Sequence, residues 1–209
     1  MAFPILLTND DGIDSPGIQE LAASLNGRGH PVVVLAPLTE QSAVGMKLTL
    51  RDDMAFHEHA EIAEKIRIDD ETPLRVFSLD GSPCDCIIVA IDGGLKSRAP
   101  EIDPWLCISG INRGPNLSFD VLHSGTVSAA REAALYGMPS LSVSLATYSH
   151  QDYSHSIEAT LEVLDRLSAI VSKKPGNILR PEGSKKRPPE GSDSDSLRSW
   201  FLQGNLFLN

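Results

Sequence analysis

Pro4-Ile5-Leu6-Leu7-Thr8-Asn9-Asp10-Asp11-Gly12-Ile13-Asp14-Ser15-Pro16 is the stretch from which the fold is read. Its first half is a short apolar run, its middle carries two adjacent acids, and its end is a Ser-Pro pair. Ser at the N-cap with Pro at the first helical position starts a helix. Ile18, Leu21, Ala22 and Leu25 continue it at helical spacing. Strand, acidic loop, helix is the layout of a ligand-binding βα corner. In such proteins the site lies outside the carboxyl ends of the strands. Asp10 and Asp11 therefore put negative oxygens where a hard cation can be held against a phosphate. Read alone, Asn9-Asp10-Asp11-Gly12 is equally a polar turn.

Further along, Pro31-Val32-Val33-Val34-Leu35-Ala36-Pro37 reads as a strand buried on both faces, as in a parallel sheet. Residues 39–45 form a polar loop at its carboxyl end, which brings Ser42 toward the two acids. From Leu48 to Leu79 the pattern is irregular, with alternation at Ile66-Arg67-Ile68 and Leu74-Arg75-Val76-Phe77. Strands or hairpins of an excursion from the main sheet are expected there. Gly81-Ser82-Pro83 starts a helix that Gly93-Gly94 stops. A third core strand spans residues 103–109, an Ala-rich helix 126–136, a fourth strand 141–145, and Ile157, Leu161, Leu164, Leu167 and Ile170 mark a last amphipathic helix. This alternation predicts an α/β fold: a three-layer α/β/α, Rossmann-like, doubly wound and mostly parallel sheet.

The chain has 209 residues, of which 41% are hydrophobic, and a formal charge of -10. That charge argues against attraction to nucleic acid or an anionic membrane. No apolar stretch is long enough to span a bilayer, and residues 1–4 lack the features of a secretory signal. Cys84, Cys86 and Cys107 are read as reduced, packed thiols of a cytoplasmic protein; Cys84-Asp85-Cys86 lacks the partners of a zinc site. Beyond residue 172 the composition turns to Pro, Gly, Ser and charges. Residues 1–172 are thus the expected core, and residues 173–209 a divergent tail expected to be disordered.

Three loops, after the strands ending near Thr8, Ala36 and Ser109, are expected side by side. They bring together Asp10, Asp11, Ser42 and the amide oxygen of Asn112. Such a set suits Mg²⁺ or Mn²⁺ better than zinc. Singly, Ser42 is also a loop hydroxyl and Asn112 a turn former. Backbone N–H groups of Gly110-Ile111-Asn112-Arg113-Gly114-Pro115-Asn116 form a candidate anion concavity. His123-Ser124-Gly125-Thr126 opens the Ala-rich helix, where a phosphate is stabilised and an ordinary cap is equally served.

Thr8-Asn9-Asp10-Asp11-Gly12, Glu40-Gln41-Ser42-Ala43-Val44-Gly45, Gly81-Ser82-Pro83-Cys84-Asp85-Cys86, Ser109-Gly110-Ile111-Asn112-Arg113-Gly114-Pro115-Asn116 and His123-Ser124-Gly125-Thr126-Val127-Ser128 together resemble the SurE family over about the first 180 residues. The family comprises survival-protein phosphatases acting on nucleoside 5′- and 3′-monophosphates. The resemblance implies one divalent ion held by Asp10, Asp11, Ser42 and Asn112, and hydrolysis of a phosphomonoester through a metal-activated water. It makes Asn116, Ser124, Gly125 and Thr126 candidates for the phosphate oxygens. Asn9 is a substrate-side candidate or orients the carboxylates. His123 either protonates the leaving alkoxide or hydrogen-bonds its loop. Up to Asn177-Ile178-Leu179-Arg180-Pro181 the chain resembles a plant-type member; from Glu182 on it departs, so an atypical or truncated C-terminus is expected. Members form homodimers or tetramers by exchanging an arm that the residues after Glu182 do not match.

Two other classes compete. An aspartyl-phosphate phosphatase usually has two acids separated by one residue, unlike adjacent Asp10 and Asp11. A catalytically impaired nucleotide- or metal-binding remnant would follow from the altered C-terminus. Dinucleotide oxidoreduction lacks its Gly-x-Gly-x-x-Gly turn.

Overall fold

The structure, a computed structural model, describes residues 1–173. Apart from Lys173, which ends the last helix, the expected tail therefore lies outside the described residues. Six strands form one sheet: β1 (Ile5–Thr8), β2 (Val32–Pro37), β3 (Phe56–Glu58), β4 (Leu74–Leu79), β5 (Leu106–Asn112) and β6 (Ser140–Ser144). Their order is β3-β4-β2-β1-β5-β6. Every pairing is parallel except β3 with β4. Helices α1 (Pro16–Gly27), α2 (Ala60–Ile66), α3 (Pro83–Val89), α4 (Asp120–His123), α5 (Gly125–Leu135) and α6 (Ser154–Lys173) complete the fold. A π-helical turn, Ala90–Gly94, extends α3. Among the described residues no helix is long and apolar enough to cross a membrane.

Strand periodicity explains the layers. Ile5, Leu7, Val32, Val34 and Ile108 point to one face, where Ile18, Leu21 and Leu25 of α1 and Leu164 of α6 cover them. Leu6, Val33, Leu35 and Cys107 point to the other, under Cys86 and Ile87 of α3 and Ala129 and Ala133 of α5. Successive side chains of a strand face opposite ways, so central strands covered on both sides must be apolar throughout. The result is the expected three-layer α/β/α, Rossmann-like sandwich. The three cysteines are free and buried. Burial pushes the thiols of Cys84 and Cys107 up to about 12, so they remain protonated packing groups.

Chain order reverses between β1 and β5: β2 and β4 extend the sheet on one side of β1, β5 and β6 on the other. Ligands of open α/β sheets gather at such a switch point. Asp10 and Asp11 follow β1, and Asn112 ends β5.

Several expectations are corrected. Leu74–Leu79 is no excursion but the parallel neighbour of β2, with Phe77 fully buried. Residues 60–66 form helix α2, and Ile66-Arg67-Ile68 is not a strand. The side chain of Asn26 explains this: its Oδ1 accepts from the Ile68 and Asp69 N–H groups, each at 2.8 Å, so they need no strand partner. Ser15 stands at the start of α1 but makes no side-chain cap; Pro16 and the backbone set that terminus. Strand β5 runs on past Ser109 to Asn112.

Helix α3 begins with a full capping box. Ser82 Oγ accepts from the Asp85 N–H at 3.1 Å, and Asp85 Oδ2 accepts from the Ser82 N–H at 2.8 Å. The same two side chains anchor the long β2–β3 connection. Asp85 accepts from the Thr49 N–H and hydroxyl, at 3.0 and 2.8 Å, and the Ser82 hydroxyl donates to the Lys47 carbonyl. Asp85→Ala removes the acceptor of three donors, and we expect a loss of about 2 kcal/mol in unfolding free energy. Urea denaturation of the two proteins measures it.

Candidate active site at the β1–β5 switch point

Asp10 is buried, with 4% of its surface exposed. A carboxylate in that position needs donors, and helix α5 supplies them. The Thr126 N–H donates to Asp10 Oδ2 at 3.0 Å and the Thr126 hydroxyl to Oδ1 at 2.5 Å. The unpaired N–H groups and positive dipole end of a helix favour this arrangement. Gly125 permits it, since a Cβ there would lie 2.7 Å from the Asp10 Cβ. Asp11 is only partly buried, and its Oδ2 accepts from the Arg113 N–H at 2.9 Å.

Asn9 is fully buried, and both ends of its amide are used on Gly12. Its Nδ2 donates to the Gly12 carbonyl at 2.9 Å, and its Oδ1 accepts from the Gly12 N–H at 3.2 Å. That closes the turn carrying the two acids, so Asn9 positions the carboxylates. Asn112 Nδ2 donates to the Gly114 carbonyl at 2.7 Å. Its Oδ1 consequently turns to the other side, where the Thr126 hydroxyl lies 3.4 Å away. One hydroxyl thus touches oxygens of both Asp10 and Asn112.

Ser42 reaches the site on the β2–β3 connection. The Gln41 N–H donates to the Asp10 carbonyl at 2.7 Å, and the Gly45 N–H to the His123 carbonyl at 2.8 Å. Ser42 is exposed, and its hydroxyl donates to Glu40 Oε1 at 2.6 Å. Asp10, Asp11, Ser42, Asn112, Asn116, His123 and Ser124 all line one cavity of about 340 Å³. A more apolar hollow of about 310 Å³, beside the π-helical turn and Tyr136–Met138, shares none of these residues.

The anion-holding devices expected to grip phosphate are turned on the protein itself. The Arg113 N–H serves Asp11. Both donors of Thr126 serve Asp10. Ser124 Oγ accepts from the Val127 N–H at 3.1 Å as the cap of α5. Asn116 Nδ2 donates to Ser144 Oγ at 2.8 Å. Glu40 and Asp120, which the sequence reading did not single out, join Asp10 and Asp11 around the cavity, where Arg113 also stands. Glu40 in its loop and Asp120 at the start of the one-turn helix α4 share no sequence spacing with the paired acids, and only the fold brings them together.

Residues 5–188 match the family described as Survival protein SurE. The chain belongs to the SurE family. A relative named 5′-nucleotidase SurE, from Alkaliphilus metalliredigens, is 46% identical over 160 residues, covering 77% of this chain and 58% of its own. Another of that name, from Synechococcus sp. (strain JA-3-3Ab), is 40% identical over 172 residues, covering 82% and 62%. The crystal structure of the SurE protein from Aquifex aeolicus matches with a TM-score of 0.61 at 33% identity, over 78% of this chain and 59% of that one. This SurE chain thus spans about three-fifths of the length of these relatives.

Electrostatics of the SurE site run against its own acids. Burial pushes the Asp10 carboxyl above the usual range, although the Thr126 hydrogen bonds pull it down. Burial raises Asp11 too, opposed by the Arg113 N–H and reinforced by the charge of Asp10. Among the described residues no cluster of three or more His, Cys, Asp or Glu gathers as a metal site. The donor set is instead two carboxylates with neutral oxygens from Asn112 and Ser42, which fits a hard divalent ion.

A carboxyl whose pKa is higher folded than unfolded favours folding when protonated and loses that contribution as pH rises through the folded value. In chelator at pH 7, Asp10→Asn should therefore melt above the parent, with the gap closing toward about pH 4. Scanning calorimetry across that range checks this; a variant less stable than the parent at pH 7 contradicts it.

Proposed function

We propose that this chain is a metal-dependent phosphomonoesterase that hydrolyses nucleoside 5′- and 3′-monophosphates to nucleoside and phosphate. One observation carries the reading: clamped carboxylates from β1 and the fixed amide oxygen of β5 face one cavity at the switch point. The names of the relatives support the 5′-nucleotidase part of this reading.

In this reading Asp10, Asp11, Asn112 and Ser42 hold one Mg²⁺ or Mn²⁺ ion. When bound, the ion supplies positive charge to the phosphate and an activated water. Thr126 and Gly125 act through Asp10, holding its carboxylate in one orientation. Ser124 accepts its cap hydrogen bond through oxygen, which leaves its O–H able to donate to a phosphate oxygen. Asn116 has a second amide hydrogen for the same use. His123 lines the cavity and gives a proton to the leaving alkoxide. Free, buried thiols support assignment to the reducing cytoplasm.

Phosphate release from a panel of nucleoside monophosphates, with Mg²⁺, Mn²⁺ or chelator, tests this on the chain as it stands. We expect Asp10→Ala or Asp11→Ala to lower metal-dependent release by about 1,000-fold or more, as removal of a charged ligand should. Asn112→Ala should weaken metal binding less, because no charge is removed. Activity that survives in chelator overturns the assignment. Nucleotide binding without phosphate release would favour a binding protein.

A further inference from the structure

The cavity has an aromatic wall that the phosphate chemistry does not use. Tyr148, in the connection after β6, lines the same cavity as Asp10, Asp11 and Ser124, yet 73% of its surface is exposed. The ring is seated: a Cβ on Gly114 would collide with it. Gly114 is itself fixed, because its carbonyl accepts from Asn112 Nδ2 at 2.7 Å. Its φ of 126° is one that residues other than glycine rarely adopt. On the chain's other side, Thr147 Oγ1 accepts from the Ser149 N–H at 3.0 Å and closes a turn around Tyr148. A large, exposed, amphipathic ring is therefore held from below at the mouth of a charged cavity.

Resting on the phosphomonoesterase reading, we propose that Tyr148 is the platform on which the nucleobase of a nucleoside monophosphate stacks, and that it makes the site prefer nucleotides over small aliphatic phosphates. The argument is one of complementarity. Asp10, Asp11, Glu40 and Asp120 make the inner part of the cavity suitable for a cation and its phosphate. Tyr148 is the large aromatic side chain among the lining residues, beside the imidazole of His123, and a largely exposed ring suits the planar, uncharged end of the substrate. Base–aromatic stacking tolerates any base, since every base has a π-face. The platform therefore selects for a base and not for its identity. The link from Gly114 to Asn112 also joins the base-side wall to the metal-side oxygen.

Calorimetric titration with the non-hydrolysable phosphonate analogues of AMP and of glycerol phosphate, each in Mn²⁺, reads the proposal without turnover. The parent should prefer the AMP analogue. Tyr148→Ala should cut the ratio of the two affinities by about 10-fold, and Tyr148→Phe should keep it, as stacking needs only the ring. An unaltered ratio in Tyr148→Ala overturns the platform, whether both ligands weaken together or neither does. So does a parent that binds the two equally. Phosphate release by the parent is measured in parallel. If it releases phosphate from neither AMP nor glycerol phosphate while the affinity ratio behaves as described, the hydrolytic reading falls and the base platform stands.

Discussion

The hydrogen bonds from the start of α5 to the buried Asp10 carboxylate are the constraint on which the site depends. They join the end of β1 to a helix that packs against β5 and β6, and so hold together the two halves of the sheet at its switch point. Such a contact requires a residue without a Cβ at Gly125, a donor hydroxyl at Thr126 and a cap at Ser124. His-Ser-Gly-Thr is thus a mechanical sequence before it is a ligand-binding one. A carboxylate buried this way is kept ionised only by directed donors, because the interior does not solvate charge.

A second set of ties brings Ser42 to that centre. The β2–β3 connection is long and largely exposed, yet it is fastened to the Asp10 carbonyl by Gln41, to α4 by Gly45 and to the α3 capping box by Lys47 and Thr49. The Gly-Ser-Pro-Cys-Asp-Cys motif therefore belongs with the active loops although none of its side chains lines the cavity. Ser82 and Asp85 hold the connection that delivers Ser42; Cys84 and Cys86 fill the core behind them. A motif far from the chemistry has a physical reason to accompany it.

What could be read from the chain alone follows the strength of local signals. Apolar runs at residues 4–8 and 31–37, flanked by turn residues, specify central strands, and Ser82-Pro83 specifies a helix start. The family resemblance then led to the same acids and the same α/β sandwich. Helix α2 and the place of β4 in the main sheet escape the local pattern because distant partners set them. Asn26 satisfies the backbone of Ile68 and Asp69, and Arg75, an apparent surface residue, lies in a strand of the main sheet where Glu58 and Glu101 pair with it. Neither partner is visible in a local window. Tyr148 is still less legible, since its neighbour Gly114 is 34 residues away and no periodicity links them.

The use made of the site's own donors bears on the part a cation would play in the proposed reaction. A glycine-rich loop and a helix N-terminus are the two devices by which a protein holds a phosphate with backbone N–H groups. Here the loop after β5 spends its Arg113 N–H on Asp11, and the helix spends its Thr126 N–H on Asp10. Both anions are already part of the chain. With Glu40 and Asp120 nearby, a phosphate dianion approaching this cavity alone meets four acids. Like charges repel across such a cavity. A bound divalent ion would reverse the sign of that interaction and relieve the two raised carboxyls together. In the proposed reading the chain thus turns two anion-binding motifs into a rigid frame for cation ligands, and would leave the substrate's charge to be met by the ion.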